Sequence, residues 1–526
     1  MKSVMQSGHQ FSQVPRAEIP RSSFDRSSGH KTALDAGLLI PIFYDEVLPG
    51  DTFSLTTTLF GRLATPLRPF MDNVMGNTFY FFVPNRLIWK NWQRFMGEQD
   101  NPTDSVDFLV PQIVSPAGGY TANSIYDYLA IPTKVASLSH SALWLRAYNL
   151  IWNQWFRDQN LQNSVTVLND DGPDPSTTYT LLRRGKRHDY FTSSLPWPQK
   201  GSAVSIPLGT SAPVIGIGSL SQTYNSAVGP IHETNGATRT YAFGTATSNT
   251  TTIVVEGTAA TAGNPKIFAD LTNATAATIN QLRQAFQVQK LHERDARGGT
   301  RYTEIVRSHF NVVSPDARLQ RAEYLGGGST SLNVHQVPQT QATVSGQTPQ
   351  GNLAAFGVAS GSGNGFTKSF TEHGVVLGLL SVRADLNYQQ GLNKMWSRRT
   401  KLDFYWPALA HIGEQAVSMK EIYATGTAAD DNVWGYQERY AEYRYKPSVI
   451  TGELRSNFAQ PLDTWHLAQY FATAPALDAA FIQDNPPISR VVAVPTERHF
   501  IFDIFHSLRC ARPMPVYGVP GLIDHF

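Results

Sequence analysis

Along residues 51–59, Phe53, Leu55, Thr57 and Leu59 alternate with polar neighbours. A period of two marks a strand with one face buried and the other wet. The preceding run, Leu38–Leu48, reads as a second strand, joined to the first through the turn pair Pro49-Gly50. Residues 78–83 are almost all aromatic and predict a strand buried on both faces. After Pro84-Asn85 the period lengthens, and Ile88, Trp92, Phe95 and Met96 share a helical stripe that stops at Gly97. A second helix is predicted from Ser141, with Trp144, Tyr148, Ile151 and Trp155 at helical spacing. That stripe reads as core rather than as a cofactor box.

Residues 201–265 have a different texture. They hold three charged residues (Glu233, Arg239, Glu256) among Gly, Ser, Thr, Ala and Asn. Large apolar side chains are too scarce there for a strong core, although runs such as Thr251–Val255 are strand-prone. Order returns at Thr278-Ile-Asn-Gln281, a capping-box pattern. The helix it predicts carries Ile279, Leu282, Ala285 and Phe286 on one face. It closes with Lys290, Arg294 and Arg297 before Gly298-Gly299, placing cations where the helix dipole favours them. Beyond residue 300, strands are predicted at 374–386, 401–406, 416–423 and 498–510, and 325–331 and 357–365 read as glycine-rich connectors. No internal repeat is visible, which argues against a propeller or solenoid. Strands near both ends must pair over long sequence distances, as in Greek-key and jelly-roll sandwiches.

Charged residues make up 16% of the 526, against roughly 25% in an ordinary soluble domain. With 11% aromatics, 40 Gly and 32 Pro, this fits a turn-rich β protein that buries much of its surface against partners. The net charge of +2 gives no global footprint for nucleic acid, so any such contact must be local. The single cysteine, Cys510, rules out an intrachain disulfide and a cysteine metal site, and its apolar surroundings predict a packed thiol. No secretory h-region and no apolar run near ~18 residues occurs, so no membrane insertion is expected and the chain is read as folding in a reducing cytoplasm.

The chemical motifs are weak. There is no G-x-S-x-G, P-loop or H-E-x-x-H. Gly326-Gly-Gly-Ser-Thr330 reads as a linker rather than a phosphate cradle, and His292-Glu-Arg-Asp295 as an ion-paired helix end. Asp170-Asp171-Gly172-Pro173-Asp174 clusters carboxylates suited to a hard cation but lacks EF-hand spacing. No catalytic residue, metal or cofactor is assigned.

Three segments suggest binding. Trp434–Pro447 sets Trp434, Tyr436, Tyr440, Tyr443 and Tyr445 between Glu438, Arg439, Glu442, Arg444 and Lys446. Rigid amphipathic rings among fixed charges suit a protein–protein contact; the alternative is an aromatic strand edge within one domain. Arg183, Arg184, Lys186 and Arg187, followed by Tyr190 and Phe191, suit a flexible single strand, or else anchor an intersubunit carboxylate. The polar residues 1–31, with Arg16, Arg21, Arg26 and Lys31, read as an extended arm touching either phosphates or a neighbouring subunit.

Phe79-Tyr-Phe-Phe-Val-Pro-Asn-Arg-Leu-Ile-Trp89, Arg183–Phe191 with Leu195-Pro-Trp-Pro-Gln199, Leu291–Tyr302 and Trp434–Pro447, taken together and in this order, resemble the major capsid proteins of gokushovirus-type microviruses, small icosahedral bacteriophages with circular single-stranded DNA. The resemblance fades in 201–265. It implies a mainly β fold, an eight-stranded antiparallel jelly roll with long inter-strand insertions and a few short helices. It further implies an arm at 1–31, a discontinuous capsid domain over 32–526, and a protrusion at 201–265 near a three-fold axis. Within that protrusion Tyr224, His232, Glu233, Arg239 and Tyr241 are candidate host contacts. The implied partners are further copies of the chain, with pentamers as intermediates, an internal scaffolding protein, a DNA pilot protein, a small basic DNA-binding protein, single-stranded DNA and a host surface receptor. The implied location is the virion, with assembly in the host cytoplasm. A β-rich carbohydrate-active enzyme and a phage receptor-binding fibre are the alternatives; the fibre expects sequence repetition that is absent.

Overall fold

The computed structural model describes residues 20–202, 204, 279–312, 320–346 and 349–517, together with the backbone of six short strands between 214 and 269. Contacts divide the chain into two units, Gln199–Val312 and the remainder.

The larger unit is built on one antiparallel sheet of nine strands. In chain order these are β1 (Ser22–Asp25), β2 (Ser28–Leu34), β3 (Ile40–Val47), β4 (Thr52–Leu63), β5 (Val74–Pro84), β6 (Glu323–Pro338), β7 (Leu353–Ser369), β8 (Gly374–Ala384) and β9 (Phe500–Arg512). Across the sheet the order is β1-β9-β4-β7-β6-β5-β8-β3, and β2 also pairs with β9. The C-terminal strand therefore lies beside strands from the first 65 residues, with Phe500 opposite Leu63 and Ala511 opposite Thr52.

The sheet curls on itself. Strands from opposite parts of this order bury side chains in the same cluster: Ile40 and Ile42 of β3, Leu380 of β8, Leu332 of β6, and Phe500, Phe502 and Ile504 of β9. Neighbouring strands lie about 4.8 Å apart, so a flat sheet would hold β3 and β9 far from contact. A second internal cluster joins Phe43, Phe53, Leu55, Tyr80, Phe366, Phe370 and Cys510. The Cys510 thiol is fully buried there, and burial pushes its pKa up. A polar thread crosses the interior. The His506 ring sits 2.9 Å from both the Ile42 carbonyl and the Thr57 hydroxyl, which in turn bonds the Tyr80 hydroxyl at 2.5 Å. Desolvation drops the His506 pKa to about 4, so the ring stays neutral and links β3, β4, β5 and β9.

β4 and β9 alternate buried and exposed residues over their whole length, as their period predicts. β5 is covered on both faces. Tyr80 and Phe82 point into the curl, whereas Phe81 and Val83 pack with Trp89, Leu145, Tyr148 and Ile151 outside it. Those last three belong to α1 (Leu143–Ile151), which continues as a π-turn through Phe156. The predicted helix after Pro84 is two single turns, Asn85–Ile88 and Trp92–Phe95. In the smaller unit, α2 (Ile279–Arg297) and α3 (Tyr302–Phe310) follow each other; Thr278 of the expected capping box lies outside the described residues.

Three expectations are corrected. The glycine-rich stretches 325–331 and 357–365 are not connectors but the middles of β6 and β7. A Cβ on Gly327 would lie 2.1 Å from the Thr78 carbonyl oxygen, and one on Gly365 1.9 Å from that of Leu55. Only glycine permits this approach where the sheet bends, and the register shifts there confirm bulges. Residues 401–406 are not a strand: they begin with a 3-10 turn, Lys401–Asp403, capped by Thr400. Residues 416–423 start as a strand (Glu414–Ser418) but turn helical at Met419, where Ser418 and Glu421 form a capping box. The last part of the expected arm 1–31 is extended, as Ser22–Asp25 and Ser28–Leu34 run along β9, whose open edge needs backbone partners.

Candidate assembly surface

Residues between β8 and β9, joined by Tyr190 and Phe191 from the long connection between β5 and β6, form a lobe around a core that also holds Val417, Ile422, Trp434, Ala441 and Phe481. The strand pair Glu414–Ser418 and Val433–Glu438 supports it. Polar anchors fix the core: the Tyr190 hydroxyl donates to Glu421 at 2.8 Å, Tyr388 to Asp189 at 2.6 Å, and the Trp434 indole to the Pro475 carbonyl at 2.8 Å.

The Trp434–Pro447 segment divides between core and surface. Trp434 is buried against Phe191 and Phe481. Tyr440 is buried as well, adopts a left-handed backbone (φ 63°), and donates to the Phe404 carbonyl at 3.1 Å. Tyr436 is half-buried, its backbone paired with Leu195, and Arg439 lies over the Tyr440 ring. Tyr443, Arg444 and Tyr445 are exposed, Arg444 in an ion pair with Glu438. Trp434 and Tyr440 thus leave the expected contact surface, because their rings close the lobe.

A neighbouring segment, 395–406, of which only 401–406 was expected to be a strand, supplies the rest of the surface. Met395, Trp396, Leu402, Phe404, Tyr405 and Trp406 are all exposed. The Tyr405 ring packs edge-on against Tyr440 and Tyr443. Arg398 bridges the two segments, lying 4.2 Å over the Tyr443 ring while its guanidinium meets Glu442 at 3.2 Å. The Lys401 ammonium sits 4.9 Å over Trp406. The signal was present in the sequence: 394–406 mixes rings and cations just as 434–447 does.

The basic run is buried at Lys186, half-buried at Arg183 and Arg184, and exposed at Arg187. Lys186 is 7% exposed; it donates to the Gln469 amide at 2.8 Å and sits 4.2 Å over Phe481. Desolvation lowers its pKa to about 8 and that of Arg184 to about 10. Arg184 donates to Asn77 and covers Phe79, Arg183 donates to the Ala36 and Asp484 carbonyls, and Arg187 pairs with Asp385 at 3.0 Å. The buried Asp484 carboxyl is raised to about 6 by desolvation, against the pull of Lys186 and Arg184. Arg183, Arg184 and Lys186 are thus held within the subunit, where they tie the lobe to the sheet, while Arg187 is exposed beside Asp385. The carboxylates at 170–174 are similarly engaged. Fully buried Arg146 holds Asp174 through two bonds of 2.5 and 2.8 Å and meets Asp170 at 3.2 Å, while Asp171 accepts from Trp89. Among the described residues no cluster suited to a metal ion occurs.

Of the arm cations, Arg21 donates to Thr52 at 2.7 Å, Arg26 pairs with Asp45 at 2.6 Å, and exposed Lys31 pairs with Asp503 at 2.9 Å. Arg16 lies outside the described residues, as do Tyr224 and Glu233. His232, Arg239 and Tyr241 fall on the strand pair Gly229–His232 and Thr238–Tyr241, whose backbone alone is described. No helix among the described residues is long and apolar enough to cross a membrane.

The chain matches the family model for the capsid protein (F protein) over residues 12–522. It is 51% identical to capsid protein VP1 of Bdellovibrio phage phiMH2K, with 98% of each chain covered. It is 45% identical to capsid protein VP1 of Chlamydia phage 1, covering 99% of this chain and 98% of the relative. Capsid protein VP1 of Spiroplasma virus 4 is 38% identical, at 98% and 97% coverage. A curled antiparallel sheet with long insertions, and full-length similarity to three microvirus capsid proteins, lead to one assignment: the chain belongs to the capsid protein (F protein) family and is a microvirus major capsid protein, a structural part of the virion rather than an enzyme.

Proposed function

We propose that copies of this chain close into a small icosahedral shell of the simplest kind around circular single-stranded DNA, with pentamers as intermediates. The observation that carries this is the exposed aromatic surface at 395–406 and 443–445, on a subunit whose sheet is already closed around its own core. An internal scaffolding protein, a DNA pilot protein and a small basic DNA-binding protein complete the assembly. Residues 1–31, through Arg16, Arg21, Arg26 and Lys31, contact the genome. Neutralising phosphates releases counterions, so binding of subunits to single strands weakens steeply with salt. Residues 201–265 form the protrusion that meets a host receptor, through Tyr224, His232, Glu233, Arg239 and Tyr241. Its support is the separate contact unit spanning Gln199–Val312 and the poverty of that segment in large apolar side chains. Runs such as Thr251–Val255 suit strand addition between symmetry-related copies.

Electron microscopy of the purified chain, alone and with scaffolding protein, tests this. Uniform spherical shells or pentamers are the expected result; isolated monomers under all conditions refute it. Replacing 205–262 by a short Gly-Ser linker should leave shells largely intact and reduce adsorption to the host. Unchanged adsorption removes the receptor role.

A further inference from the structure

Trp396 is the most exposed tryptophan among the described residues, at 71%. An indole in water is unfavourable relative to a buried one, and a flexible loop would fold it back. This one is held out. Its 3-10 turn, Lys394–Ser397, is capped by the Asn393 side chain, which accepts from the Met395 N–H at 3.0 Å. On the same turn, the Lys394 ammonium is tied at 2.7 Å to the Ala416 carbonyl and at 3.2 Å to the carboxylate of Glu421, itself buried. The turn is therefore anchored to the lobe core while Met395 and Trp396 project from it.

We infer that Trp396, flanked by Met395, is the anchor of a contact with a second copy of this chain, seated in a pocket of the neighbouring subunit. Rigid tryptophans with little ordering entropy left to lose are the residues that dominate such interfaces. Charge selects the partner. Most cations around the ring are engaged within the subunit: Lys394 with Glu421, Arg398 with Glu442 and the Tyr443 ring, and Lys401 over Trp406, while exposed Arg399 has its charge offset by Asp431. A single-stranded nucleic acid needs free cations beside its stacking rings. A protein surface needs apolar area with its charges locally balanced, and a shell-forming chain meets copies of itself on its flanks.

This inference rests on the shell reading, and the experiment separates the two. The full-length chain carrying Met395→Cys has one exposed thiol among the described residues, since Cys510 is buried. Maleimide should modify it readily in dissociated subunits and at least about tenfold more slowly in assembled particles. Trp396→Ala should leave the subunit's melting temperature unchanged while raising the concentration needed for assembly by about tenfold or more. Shells that form at the usual concentration with Trp396→Ala, or equal labelling in subunits and shells, overturn the anchor while leaving the shell reading intact. Normal shells that package less DNA with Trp396→Ala assign the ring to nucleic acid and overturn it too. If the unsubstituted chain never assembles, both fall together.

Discussion

Arg183–Arg187 and Lys394–Trp406 are short segments of similar chemical promise with opposite fates. The first is a run of cations whose centre, Lys186, is drawn inward; the second is rich in rings and is left in water. Lys186 lies under Phe481 with its ammonium bonded to Gln469, whereas Trp396 stands out on a capped turn. Residue type sets the energetic stake of exposure, but the partners available at a position decide its sign. A buried cation is tolerable where carbonyls, amides and ring faces meet it. An exposed ring is tolerable where a further interface awaits it. On the proposed shell reading, inward charges hold the monomer and outward rings hold the neighbours.

Reversing charge at the inward site gives the largest expected effect. Lys186→Glu sets a second carboxylate beside Asp484 in a buried site and should cost about 3–5 kcal/mol of subunit stability, read from urea denaturation. Equal stability would mean that Lys186 is solvated rather than buried.

Exchanging one tryptophan for the other sharpens the comparison. Trp434→Ala removes a ring packed between Phe191 and Phe481 and should cost roughly 3–5 kcal/mol in the isolated subunit. Trp396→Ala should leave that value within about 0.5 kcal/mol and act on assembly alone.

The pH dependence follows from Asp484. Its carboxyl pKa rises from the ordinary 3.8 to about 6 in the fold, so the folded subunit holds this proton more tightly than the unfolded chain. The associated stability is full below pH 4 and is lost as pH climbs through 6, a drop on the order of 3 kcal/mol. Asp484→Asn should flatten the subunit's unfolding free energy over that interval; an unchanged slope would place the titrating group elsewhere.

The smallest effect belongs to the outer face. Leu402→Ser or Tyr445→Ser should shift subunit stability by less than about 0.5 kcal/mol, measured by thermal melting. A larger loss would move these side chains from the contact surface into the lobe core.

Periodicity along the chain was enough to locate β4, β8 and β9, the doubly buried β5, and the start of α1. These elements carry their instructions locally: a period of two for a half-buried strand, or an unbroken aromatic run where both faces are covered. It also marked Trp434–Pro447 as a segment of dense contacts. Which of its rings close the lobe and which reach outward depended on Tyr440 turning through a left-handed backbone, and on Arg398 arriving from the segment just before 401–406. The glycines of β6 and β7 resemble a linker until β4 and β5 press against them, because close approach of two backbones leaves no mark on the sequence around either one. Composition announced a subunit built for contact. The direction each charge and ring faces was settled only by tertiary packing, since burial is a property of what surrounds a residue and those surroundings come from positions up to hundreds of residues away.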